Sequence, residues 1–359
     1  MNKPFVSVIL PIRNEEKSLV DTLSSIVAQD YGLNNFEIIV SDGMSSDNSL
    51  EIIRSFQKKF ENIFLIENPG KIVPTGFNLS LNISKGEIIV RVDGHTIISK
   101  NYISRCVELL LNKNASNVGG LINPLSDKVF GKLVALATSS RFGVGNSYFH
   151  FSKEGKYVDT VYLGAWKRDV FKRIGGFDEE LIRNQDDEFN FRLIQSGGKI
   201  WLDPSIKSFY TPRLSFLKLF KQYFQYGFYK VRVIQKRRDF SSYRHLVPSA
   251  FVLFTIMSIF FLKKSILPLL AIIIPYTSAA LLSTLICSIN YKDKNLSFFT
   301  YSLVFLPLIF LTLHVSYGLG SIFGFLYFFN KMHDTKLNDN NFNFKKFERN
   351  EYKLNDEQK

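Results

Sequence analysis

The chain of 359 residues is 46% hydrophobic and 15% aromatic, enough to bury a sizeable globular domain and something more. Lys and Arg total 45 against 32 Asp and Glu, a net charge of +13 that is bunched rather than spread, which argues against nucleic acid and for a membrane surface as the partner. The two cysteines, Cys106 and Cys287, fall in different regions and offer neither a disulfide framework nor a zinc site.

In chain order, Phe5-Val6-Ser7-Val8-Ile9-Leu10-Pro11-Ile12 reads as the first strand. As an apolar run it is too short for a signal peptide and leads straight into Arg13-Asn14-Glu15-Glu16, so the domain it opens is expected in the cytoplasm. Asn14 can cap the next helix, the two glutamates suit its positive end, and Leu19, Leu23, Ile26 and Val27 form its buried stripe. A second unit repeats the plan: strand Phe36-Glu37-Ile38-Ile39-Val40, polar loop Ser41-Asp42-Gly43-Met44-Ser45-Ser46-Asp47, and a helix with Leu50, Ile53 and Phe56 on one side. A short strand at 63–66 and a helix carrying Phe77, Leu79 and Leu81 lead to the central strand. Strands alternating with helices over short loops predict βαβ crossovers and a parallel sheet.

The central strand, residues 86–92, ends in Asp93-Gly94-His95. Ligands collect at this carboxyl edge of an open α/β sheet. If the backbone stays near-extended, residues i and i+2 point the same way, so Asp93 and His95 can grip one divalent ion, and Gly94 leaves room for a phosphate. Carboxylate plus imidazole suits Mn²⁺ and tolerates Mg²⁺. Glu15, Glu16, Asp42 and Asp93 then share one edge, where carboxylates repel unless a cation or hydrogen-bond donors join them. A nucleotide uses such a site: Asp42 accepts from a base N–H or ribose hydroxyl while metal at Asp93 and His95 neutralises the diphosphate. Neither a dinucleotide-binding glycine fingerprint nor a P-loop is present.

The middle third carries a strand at 117–121 and a glycine- and aromatic-rich stretch in which His150 is either a further ligand or a structural histidine. Strand residues 157–166, the turn Gly175-Gly176-Phe177-Asp178-Glu179 and a helix opening at Asn184-Gln185-Asp186-Asp187-Glu188 follow. Crowded carboxylates at a helix start make a general base, assigned here to Asp186 with Asp187 in reserve, whereas Glu188 is expected to pair with Arg192. Residues 199–204 read as an edge strand. Beyond them, Leu217, Phe220, Phe224 and Phe228 recur at helical spacing among Lys218, Lys221 and Lys230, as in a helix lying in a membrane interface. Apolar runs at 246–262, 266–289 and 296–329 give two or three crossings, with Gly320 and Gly324 serving helix packing, before a flexible polar tail from 331.

These residues together resemble glycosyltransferase family 2, in particular the membrane-anchored bacterial enzymes of the succinoglycan type that build exopolysaccharide. The carriers are Val8 to Glu15, Ser41 to Asp47, Arg91-Val92-Asp93-Gly94-His95, Gly175 to Glu179 and Gln185-Asp186-Asp187-Glu188. The resemblance implies a GT-A fold over 1–212, a basic amphipathic interface segment at 213–245, a transmembrane region at 246–330 and the tail at 331–359. It implies an inverting transfer from a nucleotide-diphosphate sugar, UDP-linked by expectation, with Mn²⁺ or Mg²⁺, at the cytoplasmic face of the inner membrane. Pro11, Arg13, Glu15, Asp42, Asp93 and Gly164 would bind the nucleotide sugar, Asp93 and His95 the metal, and Asp186 would be the base. Because the basic, aromatic helix ties the domain to the bilayer and its cations could hold a headgroup, the acceptor expected is a polyprenyl-diphosphate-linked saccharide. Gln185 stands where the family has a second acid, and only Gln225-Tyr226-Gly227-Phe228-Tyr229 represents the motif of processive synthases. A polymerising synthase and a non-catalytic scaffold keeping the nucleotide-sugar pocket are the rival readings.

Overall fold

The computed structural model describes residues 3–238, 245–291 and 296–350. The chain divides into two compact units: Met1–Asn123, Ser152–Tyr210 and Leu337–Lys359 form one, Pro124–Phe151 and Thr211–Lys336 the other. The first unit is therefore not the single stretch 1–212 read from the sequence.

Its sheet has nine strands: β1 (Val6–Ile12), β2 (Phe36–Asp42), β3 (Ile63–Glu67), β4 (Ile88–Arg91), β5 (Thr96–Ile98), β6 (Asn117–Pro124), β7 (Lys156–Val158), β8 (Tyr162–Lys167) and β9 (Ile200–Tyr210). The order is β3-β2-β1-β4-β8-β6-β9-β5, with β7 on β9. Pairings from β3 to β4 are parallel, as the βαβ pattern requires, whereas β8 runs antiparallel to β4 and β6. β1 and β2 are buried at every position, which explains the apolar runs Val8-Ile9-Leu10 and Ile38-Ile39-Val40 at their centres. Val8, Leu10, Ile38, Val40 and Val90 share one core with Leu19, Leu23 and Ile26 of the helix Leu19–Val27.

Three local expectations are corrected. Asn14 does not cap that helix; it adopts φ 56°, and its Oδ1 accepts from the Ser46 amide at 2.8 Å. Residues 93–96 are not extended but a turn, in which the Thr96 amide donates to the Asp93 carbonyl at 2.9 Å. β9 is not an edge strand ending at Pro204; it continues to Tyr210 between β6 and β5. The hydroxyl and amide of Ser205 both donate to Asp203 at 2.5 and 3.0 Å, giving the chain local bonds beside Pro204, which has no N–H.

The segment from 331 is not a free polar tail over its described part. Residues from Leu337 onward join the first unit, where a short helix Phe344–Arg349 buries Phe347 completely. An aromatic residue hidden this way opposes chain disorder. Residues 351–359 lie outside the described residues.

In the second unit the helix Phe216–Arg237 runs along the helix Leu296–Tyr327. The contact is backbone-close: a Cβ on Gly324 would sit 2.5 Å from the Phe228 carbonyl oxygen, and one on Gly320 would overlap that of Phe224. Gly227, inside the five residues that stand for the synthase motif, is packed in the same way against Tyr317. The basic cluster is accordingly not all available to lipid. Lys230, Arg232 and Lys236 are buried, and Arg232 donates to Asp334 Oδ2 at 2.9 Å and to the Lys331 carbonyl at 3.0 Å. Residues 239–244 of the interface segment lie outside the described residues. Among the described residues two helices, Leu267–Ile289 and Leu296–Tyr327, are long and apolar enough to cross a membrane. The helix Val247–Phe260, with 14 residues, reaches only about 21 Å, short of a bilayer core of roughly 30 Å.

Candidate active site

The site is built on loops that leave the carboxyl ends of β1, β2 and β4. The first two are laced together. The Asn14 amide donates to Ser45 Oγ (2.9 Å), the Glu15 amide to Ser49 Oγ (2.9 Å) and the Glu16 amide to Asp47 Oδ2 (3.1 Å). Backbone groups that no strand could satisfy at this edge are thus paired by the serine-rich loop. Asp42 is buried, its carboxylate accepting from the Ser45 amide and hydroxyl, so one of its duties is to shape that loop. Pro11 is buried in β1 beside Ser41, while Arg13 is exposed against Gly43.

The turn after β4 is held from one side by the helix Leu19–Val27, whose Thr22 hydroxyl donates to the Gly94 carbonyl at 3.1 Å, as does that of Ser18. Gly94 permits this approach, because a Cβ there would lie 2.8 Å from Ile12 and 2.9 Å from Glu15. Glu15 Oε1 and His95 Nδ1 are 3.1 Å apart. Asp93 is gripped by Arg91 through Nε–Oδ1 at 2.8 Å and Nη2–Oδ2 at 3.2 Å. Only 5% of Arg91 is exposed, and its Nη1 has no hydrogen-bond partner among the described residues. Burial pulls the Arg91 guanidinium down, but the charges of Asp93 and Asp186 outweigh it and hold its pKa above the usual value.

Asp186 lies in the first turn of the helix Gln185–Gln195 and accepts from the Asp187 amide at 2.9 Å. Burial raises its pKa above the ordinary carboxylate range; Arg91 opposes this, and Asp187 and Asp93 add to it. An acid near Arg91 and Asp93 with raised proton affinity is suited to accept a proton. Glu188 pairs with Arg192 at 2.6 Å, wholly buried, as the i,i+4 spacing predicts. The helix entry is fixed by Asn184 in the left-handed region and by an aromatic cluster in which Phe77 stacks on Phe177 at 4.2 Å and Trp166 meets Phe189 at 5.7 Å. Gly164 adopts φ 108° in β8, and a Cβ there would stand 2.5 Å from the Trp166 ring, so packing alone demands glycine.

The structure thus brings Asp93 and Asp186 to one buried guanidinium, with His95 on the adjoining turn and Glu15 reaching it from the loop after β1. It assigns His150 to the other unit. Among the described residues no three His, Cys, Asp or Glu side chains gather closely enough to hold a metal ion. Asp93 and His95 are at most two donors, and both Asp93 oxygens already accept from Arg91. A hard divalent cation that keeps its waters and takes phosphate oxygens from substrate needs no more than this. The pair therefore fits a cation arriving with a diphosphate better than a resident one.

A family model described as glycosyl transferase family 2 matches residues 7–175. Dolichyl N-acetyl-alpha-D-glucosaminyl phosphate 3-beta-D-2,3-diacetamido-2,3-dideoxy-beta-D-glucuronosyltransferase of Methanococcus voltae is 32% identical over 263 residues, 71% of this chain and 81% of that protein. This chain belongs to glycosyl transferase family 2. Another relative, succinoglycan biosynthesis protein ExoA of Rhizobium meliloti, is 27% identical over 68% of this chain and 74% of its own. The family 2 domain has the GT-A fold: mannosyltransferase PcManGT from Pyrobaculum calidifontis, solved with GDP-Man and Mn²⁺, superposes with a TM-score of 0.58 at 18% identity over 88% of both chains.

Two residues of this family 2 site escape sequence reasoning. Arg91 ends an apolar strand two positions before Asp93, an i,i+2 opposite-charge pair that is the one available signal. Asn78 gives none, yet its side chain bonds the Phe177 amide and carbonyl, both at 2.8 Å, clamping the turn that precedes Asp186.

Proposed function

We propose that this glycosyltransferase moves one sugar, with inversion, from a nucleotide-diphosphate sugar to a lipid-linked saccharide at a membrane, as a step in exopolysaccharide or related glycan assembly. The observation that carries the reading is the buried Arg91, which binds Asp93 and acts on the charge of Asp186. Asp186 takes the proton of an acceptor hydroxyl while that oxygen bonds to the anomeric carbon and the bond from that carbon to the diphosphate breaks. Attack from the face opposite the leaving group inverts the centre. Asp93 and His95 would hold a divalent ion whose positive charge, when bound, offsets that of the departing nucleoside diphosphate. Pro11, Arg13, Glu15 and Asp42, at the carboxyl ends of β1 and β2, provide donor-side contacts, together with Gly164 of β8. The lipid-linked acceptor is supported by the Methanococcus relative, named for acting on a dolichyl-linked sugar, and the membrane setting by two apolar helices.

The test is transfer from a panel of labelled nucleotide sugars, UDP-linked ones first, to a polyprenyl-diphosphate-linked saccharide with Mn²⁺ and then with chelator. A single added residue of inverted configuration is expected, with activity lost in chelator. A polymer would install the processive synthase instead, and full activity in chelator would remove the metal from Asp93 and His95.

A further inference from the structure

We infer that residues 338–347 are a strap that positions the proton acceptor: Asp339 and Asn341 hold the turn at 175–179, and that turn holds the helix bearing Asp186. The inference rests on the reading of Asp186 as the base and adds the residues that set where that base stands.

Residues 175–184, which lead into the helix Gln185–Gln195, belong to no helix or strand. The helix is nevertheless tied to them. Arg192 reaches back past Glu188, its Nη2 donating to the Gly176 carbonyl at 2.6 Å and its Nη1 to that of Ile174. The helix therefore stands where the turn stands, and the turn needs partners from elsewhere to stay in place.

The C-terminal residues supply them. The Gly176 amide donates to Asp339 Oδ2 at 3.1 Å, and the Glu179 amide to the Asn338 carbonyl at 2.6 Å. The Glu179 carboxylate joins the turn both to the helix Val73–Leu81 and to the strap: Oε1 accepts from Asn78 Nδ2 at 2.7 Å and from the Asn341 amide at 3.0 Å, and Oε2 from Asn341 Nδ2 at 2.8 Å. The approach is close, since a Cβ on Gly175 would stand 2.7 Å from Asp339 Oδ2 and one on Gly176 3.1 Å from Phe342.

The strap is itself seated beyond the turn. Asn82 donates to the Asn341 carbonyl and accepts from the Asn343 amide, both at 2.7 Å, and Phe347 is fully buried with the Arg168 guanidinium 3.7 Å from its ring centre. Phe347 meets Phe171 at 6.3 Å, and Phe171 packs against Phe189 of the Asp186 helix at 5.0 Å. Both routes lead to that helix, and none of these bonds is to Pro11, Arg13, Asp42 or Asp93. Loosening the strap then misplaces the base and leaves the donor side as it was.

The experiment compares the full chain with the double variant Asp339→Ala/Asn341→Ala, which removes the side-chain bonds to the turn and leaves Phe347 in place. Amide hydrogen exchange is expected to quicken over 176–189 and to stay unchanged in β1 and β2. In the transfer assay above, kcat is expected to fall about 10–100-fold with the donor KM unchanged. Asp339→Asn, which keeps an oxygen for the Gly176 amide, is expected to turn over near the wild-type rate. In an Asp186→Asn background the double substitution should cost nothing further, because a base already absent cannot be misplaced. Unchanged exchange over 176–189, unchanged kcat, or a full multiplicative loss in the Asp186→Asn background would overturn the strap. If the double variant fails to fold, Asn341→Ala alone, at an exposed residue, is judged by the same readings. Normal turnover by Asp186→Asn would remove the base itself and the inference with it, whereas a turn that exchanges no faster overturns only the inference.

Discussion

Arg91, at the end of β4, and Asp93, two positions on, form a two-pronged ion pair, Nε to Oδ1 at 2.8 Å and Nη2 to Oδ2 at 3.2 Å, with 5% and 16% of the side chains exposed. A guanidinium buried this deeply needs a carboxylate, and the fork geometry restricts which residue can serve. The aspartate that would face the donor diphosphate is thereby held in place before any substrate arrives.

Arg91→Met leaves that carboxylate without its partner. The expected loss is about 3–5 kcal/mol of folding stability, the usual result of removing one half of a buried pair, read as a lowered Tm in detergent. Arg91→Lys restores charge without the fork and recovers only part of it. Because Arg91 pulls the Asp186 pKa down, the folded fraction of Arg91→Met should show the acid limb of its kcat/KM profile at higher pH.

Asp186→Asn removes the proposed proton acceptor, and turnover should fall by about 10²–10⁴ while donor binding, followed by calorimetry, stays unchanged. Its effect on stability has the opposite sign. A carboxyl whose pKa is raised on folding from an ordinary value of 3.8 binds more protons folded than unfolded, so its contribution to stability declines as pH rises from that value through the folded pKa. Above that window the ionised group opposes folding, and the neutral amide should raise Tm at pH 7. Equal or lower Tm in the variant would contradict the assigned direction.

The two acids that follow separate by environment. Glu188 is buried against Arg192, which also donates to the Gly176 carbonyl at 2.6 Å. Glu188→Ala should cost about 3–5 kcal/mol in unfolding experiments, and the molecules that remain folded should turn over normally. Asp187→Asn should instead lower the acid limb of the pH profile, since Asp187 helps raise the pKa of Asp186.

Phe347→Ala empties a fully buried site between Phe171 and Arg168. About 3–5 kcal/mol should be lost, as for other buried phenylalanines. Limited proteolysis should then cut the segment 337–350 well before it attacks β1 or β2.

What the sequence discloses here follows from local physics. Strands β1, β2 and β4 are legible because they are buried and each has an apolar, mostly β-branched centre, Val8-Ile9-Leu10, Ile38-Ile39-Val40 and Ile88-Ile89-Val90. The Glu188–Arg192 pair and the packing role of Gly320 and Gly324 are legible because helical spacing alone creates them. The turn at Asp93 is not, since a glycine beside an aspartate is compatible with both extended and folded backbone. The burial of Arg232 by Asp334 and of Phe347 by Arg168 depends on pairs separated by 102 and 179 positions, and no periodicity reports on partners that distant.

The seat of Phe347 also sets an order of events during biosynthesis. Its partner Arg168 leaves the ribosome 179 positions earlier, a lag of roughly 10–35 s at ordinary elongation rates. Throughout that interval the surface awaiting the aromatic ring stands open while the apolar helices Leu267–Ile289 and Leu296–Tyr327 are being made. The first unit is thus incomplete until Phe347 has been made, and a chain cut short just after Lys336 would lack the closing piece of its own fold.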